Sequence, residues 1–241
     1  MRAFPTALIV QPTVVALLIW PIVSCPAARA GATSDNASAL AEQQEPPERF
    51  ELSIGDVKIG LELGVLRKVQ VGNELKSIQL QKAAVRTLQV RHVSFDYPSH
   101  FYFTAEVNAS VDGFSKWDLK GRWVKVSLQR LTNDVSFADY VAQMKDELTS
   151  KDGTRQVTNS EGIAKQFGGD RVPGIRFDVM VAPDAGIIVE YFDLLELDEC
   201  RYVLVMAYSP GEGDEEAELV RTLLQDTLKA KTTTNTRKIN Q

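Results

Sequence analysis

Cysteine and histidine are scarce in this sequence: Cys25 and Cys200, His92 and His100. Two histidines cannot build a multi-histidine zinc site. With Cys200 the sole thiol beyond the N-terminal apolar region, a structural Cys/His site is excluded as well. An intrachain disulfide is not expected either, since Cys25 is removed with a signal peptide, acylated, or kept in an uncleaved membrane anchor, each of which leaves one thiol in the folded domain. Phosphate-cradling and nucleophile motifs are also missing: there is no G-x-x-x-x-G-K-[ST], no G-x-G-x-x-G and no G-x-S-x-G. Gly211-Glu212-Gly213 precedes a helical pattern, but the acids around it would repel phosphate. A basic excess is lacking too. The formal net charge is -5, and a chain without Arg2 and Arg29 keeps 25 cations against 32 anions, or -7. Nucleic-acid binding, which needs a clustered basic face, is therefore not expected. No repeat of fixed period is found.

What is present begins with an export pattern. Arg2 is a short positive region, Val14 to Val23 an apolar run broken only by Pro21, and Ala28-Arg29-Ala30 a small-x-small cleavage site. The run falls short of the ~20 apolar residues that span a bilayer, so residues 1–30 read as a signal peptide cleaved after Ala30. The overlapping Ile22-Val23-Ser24-Cys25 resembles a bacterial lipobox, in which Cys25 becomes the acylated first residue and a membrane tether. Residues 31–48 are small, polar and proline-bearing and read as a disordered linker. Residues 49–230 read as one α+β domain, and 231–241 as a flexible tail.

Inside the domain the apolar period is two for most of the length. Phe50 to Leu63 reads as a β-hairpin turning at Gly55-Asp56, and residues 64 to 92 as mostly strand. Val93, Phe95 and Tyr97 share one face until Pro98. Phe101, Phe103, Ala105 and Val107 form the next strand, and Trp123 to Leu131 another, with Val124, Val126 and Leu128 inward and Lys125, Ser127 and Gln129 outward. Ser136 is placed to cap a helix whose stripe is Phe137, Tyr140, Val141, Met144 and Leu148. Gln156 to Asp170 is polar and glycine-bearing and reads as a loop with a strand inside it. Ile175 to Val181 and Ile187 to Tyr191 alternate around Pro183-Asp184-Ala185-Gly186, an antiparallel pair. Tyr202 to Tyr208 is almost wholly apolar, as in a strand buried on both faces. A last helix over 213–229 opens with acids and ends with lysines. Strands, helix, strands and helix with short turns argue for a central antiparallel sheet flanked by α-helices.

FDYPSHF, the Trp-bearing hairpin, VSLQRLTNDVSFADYVAQM, Gly174 to Phe177 and the closing YVLVMAYSPGEGDEEAELVRTLLQDTL together resemble the PsbP-like fold. That family includes the extrinsic PsbP subunit of photosystem II and small exported bacterial proteins and lipoproteins. The resemblance covers about residues 93 to 230, leaving 49–92 as an N-terminal β extension. It implies an αβα sandwich, and binding or assembly support at an envelope or lumenal membrane rather than catalysis. No functional residue of the family matches a position here.

The remaining chemistry is sparse. Trp117 and Trp123, with Lys116, Lys120 and Arg122 beside and between them, form either an aromatic-basic hairpin tip for a ligand or lipid surface or ordinary cross-strand packing. Asp193, Glu196, Asp198 and Glu199 form one acidic group, and Glu212, Asp214, Glu215 and Glu216 another. Each is either a set of oxygen ligands for Ca²⁺ or a plain structural feature, a strand corner and a helix start. His100 is a turn histidine or a base in search of a nucleophile, and Cys200 a small buried residue or a reactive thiol. The candidate binding surface is therefore Trp117, Lys120, Arg122, Trp123, Asp193, Glu196, Asp198 and Glu199. The sequence points to a periplasmic or extracellular, non-catalytic binding or assembly-support domain. Its partner is a protein or envelope component, and no cofactor is expected. An envelope hydrolase with an unrecognised site and a calcium-responsive module are the alternatives.

Overall fold

The computed structural model describes residues 41–54, 57–62, 78–108, 113–132, 134–150, 154–182, 185–197 and 200–230. The chain divides into two compact units, Met1–Ala32 and Thr33–Gln241, and every described residue belongs to the second. The export signal, Cys25, Ala30 and the tail 231–241 lie outside the described residues.

Strands dominate. The first three, β1 (Arg49–Ile54), β2 (Val57–Glu62) and β3 (Ile78–Lys82), form a small antiparallel sheet with β1 in the middle. A second small sheet holds β4 (Val85–Val90), β5 (Val93–Pro98) and the two-residue β13 (Lys229–Ala230), with β5 central. The main sheet has seven antiparallel strands: β6 (Tyr102–Glu106), β7 (Ser115–Lys120), β8 (Val124–Leu131), β12 (Cys200–Tyr208), β11 (Ala185–Leu197), β10 (Asp170–Ala182) and β9 (Gln156–Phe167), in that spatial order. Two helices accompany them, α1 (Phe137–Leu148) and α2 (Asp214–Thr227), and residues 41–43 are helical.

The expected αβα sandwich is therefore wrong: this is a mostly β protein, not a sheet clad in helices. The physical reason lies in what covers the main sheet. On one face a single core joins Trp117, Leu119, Val126, Leu128, Leu204 and Met206 to α2 through Ala217, Val220 and Leu224. The same core takes in β4 and β5 through Leu88, Val90, Val93, Phe95 and Tyr97. That cover thus includes a second sheet. The boundary expected between a β extension ending at 92 and a core starting at 93 does not separate structural units, because β4 pairs with β5 along their whole length across the turn at Arg91-His92. Strands β5 and β6, consecutive in the chain, belong to different sheets rather than to one central sheet.

The opposite face is covered in part by α1. Ser136 caps this helix as its sequence predicts, its Oγ accepting the Asp139 N–H at 3.1 Å. Tyr140, Val141, Met144 and Leu148 are buried. Tyr140 meets Tyr191 edge to face at 6.0 Å and its hydroxyl donates to Gln129 Oε1 at 2.6 Å. Ser127 and Gln129, expected to face solvent, are consequently buried. A period-two pattern distinguishes the faces of a strand but cannot say that the polar face will also be roofed.

Two further expectations are corrected. Residues 156–167 are one continuous strand rather than a loop with a strand in it, because β10 supplies the whole ladder that this polar sequence does not announce. The C-terminal part of the expected linker is docked. Trp117 Nε1 donates to the Glu42 carbonyl at 2.9 Å, and Arg86 Nη1 pairs with Glu45 at 2.6 Å. The buried indole N–H needs an acceptor, and backbone at Glu42 supplies one. The β10–β11 pair and the doubly buried β12 stand as read.

Candidate functional site

The hairpin between β7 and β8 turns at Gly121–Trp123 and is closed by the Gly121 N–H donating to the Val124 carbonyl at 2.8 Å. Its outer rim is tied to the start of α2. One Glu216 oxygen, Oε1, accepts from the Arg122 N–H at 3.2 Å, and the other, Oε2, from the Trp123 N–H at 2.7 Å and the Val124 N–H at 3.0 Å. A carboxylate gathering three backbone donors acts as a charge-assisted clamp. Gly121 is required beneath it: a Cβ there would lie 2.5 Å from Glu216 Oε1 and 2.6 Å from the Phe101 ring. His100, with 62% of its side chain exposed, reaches the same Oε1 at 3.5 Å.

On this corner the Arg122 guanidinium stacks over the Trp123 indole at 5.1 Å. Strand register then places Tyr102 opposite Lys120, and Lys120 opposite Lys125. Tyr102 is 68% exposed, and Lys120 and Arg122 are exposed with it. One row further in, Asp118 Oδ2 bridges Lys125 at 2.9 Å and Lys116 at 3.3 Å. Burial pushes the Lys125 ammonium below its ordinary range. Asp118 opposes that shift, and Lys116 and Lys120 add to it by repulsion. The corner thus combines exposed aromatic surface with four cations, two of them bridged by Asp118, beside the Glu216 carboxylate that clamps the tip, an arrangement suited to an anionic or polar partner surface.

Of the residues expected at a binding surface, Lys120, Arg122 and Trp123 come together here. Trp117 does not: it is fully buried in the core, which removes it from any surface. Asp193 lies at the other end of the sheet, its Oδ1 3.9 Å from Arg201 Nε. In the β12 ladder, Arg201 pairs with Leu131 at one end and Tyr208 with Val124 at the other. At ~3.3 Å per residue the acidic corner is therefore about 23 Å from the hairpin tip. Glu196 pairs by backbone with Arg201, and Asp198 and Glu199 lie outside the described residues. Cys200 is buried at the start of β12. Among the described residues no three His, Cys, Asp or Glu side chains gather in a way that could hold a metal ion, and no helix is long and apolar enough to cross a membrane.

Sequence reading missed Tyr102, Lys125 and the role of Glu216. The first two needed strand register, which alternation within one strand does not contain. Glu216 was visible as a helix-start acid, but its clamp spans more than ninety residues of sequence. A buried ion pair was also missed. Glu190, on β11, is 2% exposed and meets Arg221 Nη2 of α2 at 3.4 Å, while that guanidinium covers the Tyr208 ring at 4.9 Å.

No family model and no curated protein matches this sequence. Among solved structures, the chain is similar to cyanobacterial PsbP (CyanoP) from Synechocystis. That likeness has 13% identity and a TM-score of 0.41, covering 70% of this chain and 99% of that one. It is also similar to PA94 from Pseudomonas aeruginosa, a protein of unknown function, at 12% identity and a TM-score of 0.30, over 59% of this chain and 95% of that one.

Proposed function

We propose that this is an exported binding or assembly-support domain of the cell envelope, non-catalytic, which docks a protein or envelope partner through the corner formed by Tyr102, Lys120, Arg122, Trp123 and Lys125. The observation that carries this reading is the Glu216 clamp. Three amide hydrogen bonds and a close-packed glycine hold the hairpin tip in one geometry, so that its aromatic and cationic side chains are presented without a large ordering cost on binding. Rigid aromatic and arginine anchors are the residues that dominate interface energetics. The candidates for a hydrolytic site point elsewhere: His100 is turned toward Glu216, and Cys200 is buried.

The test is photocrosslinking from a benzophenone amino acid placed at Tyr102 or at Lys120, in the native envelope, with the exposed position 170, beside the β9–β10 turn, as control. Discrete adducts from 102 and 120, lost when Arg122 and Lys125 are both changed to Glu, are expected. Equal adducts from all three positions would reject the corner as the docking surface.

A further inference from the structure

We infer that β9 is a self-pairing edge, through which two copies of this chain join their seven-stranded sheets into one of fourteen strands. Among the described residues β9 ends the main sheet and has no strand on its outer side. Its residues are exposed from Thr158 to Gln166, apart from Ile163, which is partly buried and packs against the core. Such an edge displays unpaired ladder groups and invites another strand.

The sequence of this edge selects its own copy as that strand. An antiparallel pair with two-fold symmetry must cross at one residue, and only some crossings suit the charges. Centred on Ile163, the pairing sets Ile163 against its symmetry mate, Glu161 against Lys165 of the other copy, and Lys165 against Glu161. All three pairs lie on one face, because successive odd positions share a side. Centring on Glu161 would oppose Glu161 to itself, and centring on Lys165 would oppose Lys165 to itself. The intermediate centres set each charge against an uncharged residue. Direct cross-strand opposition of unlike charges stabilises, and that of like charges destabilises. Glu161 and Lys165 make no ion pair among the described residues.

The limits of the strand agree with the same centre. At one end the β9–β10 register slips between Asp178 and Val179, which leaves Thr158 bulged. At the other, the chain leaves the ladder at Gly168, where φ is 56°. Thr158 and Gly168 are equally far from Ile163, so the regular stretch Asn159 to Phe167 is symmetric about it. A bulge and a turn at the two ends would each stop the pairing at the same point on both copies. On the reverse face Gly162 meets Ala164, and neither obstructs close approach: a Cβ on Gly162 would find open space.

A strand edge is smaller than the roughly 800 Å² per partner of a standard stable interface, so the dimer should dissociate in the micromolar range. The docking corner, with Tyr102 six strands away and Lys120 five, stays free in both copies.

The experiment is sedimentation equilibrium of the full chain from about 10 µM to about 1 mM. The wild type is expected to dimerise. Glu161→Lys and Lys165→Glu, both exposed substitutions, should each weaken self-association at least tenfold, since each turns two attractive pairs into repulsive ones. A one-to-one mixture of the two variants should regain it, because one chain then carries cations at both positions 161 and 165, the other carries anions at both, and each direct pair is again of unlike charge. A wild type that stays monomeric throughout, an association indifferent to both substitutions, or a mixture no tighter than its components would each overturn the inference.

Discussion

The Glu216 carboxylate accepts the backbone N–H of Trp123 at 2.7 Å, joining the first turn of α2 to the tip of the β7–β8 hairpin across more than ninety residues of sequence. An acid in the first turn of a helix is usually accounted for by the helix dipole. Here the same carboxylate takes three amides of a neighbouring turn, so its removal leaves three donors unpaired as well as taking away a favourable charge.

Glu216→Ala should therefore destabilise the domain by about 2–3 kcal/mol, the range for a lost charge-assisted hydrogen bond with unsatisfied partners. Glu216→Gln should recover only part of this, since its amide NH₂ cannot accept. Urea unfolding measures the loss, and hydrogen exchange at Arg122, Trp123 and Val124 should speed up selectively in both variants. Unchanged exchange at those three amides would show that the clamp does not form.

Gly168 and Gly169 make a matched pair of controls. Both have positive φ, 56° and 94°, but a Cβ on Gly168 would sit 1.9 Å from the Leu228 carbonyl oxygen, whereas one on Gly169 meets nothing within 4 Å. Gly169→Ala should cost about 1 kcal/mol of backbone strain, and Gly168→Ala clearly more. It would also disturb the hydrogen bond from Gly168 N–H to the Gln225 carbonyl. Thermal melts showing the two equal would contradict the close approach.

Trp117→Phe keeps most of the buried ring but removes the donor to the Glu42 carbonyl. The expected cost is about 1 kcal/mol, with a specific consequence: residues 41–48 should become cleavable by protease under conditions in which the wild type is resistant. If proteolysis of that segment is already rapid in the wild type, the docked strap is not a feature of the protein in solution.

Burial raises the carboxyl pKa of Glu42 in the folded state, although Arg91 and Arg130 pull against it. The folded protein then holds this proton more tightly than the unfolded chain does. The contribution to stability is fully present below the ordinary value of 4.5 and is lost as pH rises through the folded-state pKa. Glu42→Gln, which cannot titrate, should lack this component. The difference in urea midpoint between wild type and variant should thus shift in favour of the variant as pH is raised from about 4 to about 7. A constant difference across that window would contradict the raised pKa.

How far each feature could be read from the sequence follows from the range of the interactions that make it. Helix α1 was legible because its cap, Ser136, and its stripe from Tyr140 to Leu148 lie within a dozen or so residues and obey one period. The β10–β11 pair was legible because alternation flanks a single turn. β9 was not, because a polar edge strand owes its conformation to the ladder of β10 rather than to its own residues. The candidate site divides the same way. Arg122 and Trp123 are neighbours and were visible as a pair. Tyr102 and Lys125 joined them only through cross-strand register, and Trp117 left the set because one face of β7 is core.

By itself, the sequence determined most of the strands, through their alternation, and two amphipathic helices, and that the chain carries no zinc cluster of cysteines and histidines and no recognised phosphate loop. Those properties depend on residue types and local spacing. Tertiary structure alone decided that the strands separate into three sheets, that a sheet as well as a helix covers the main core, and that Glu216 fixes the hairpin tip. These outcomes rest on which distant surfaces bury each other, and a period of two says which residues share a face without saying what that face will meet.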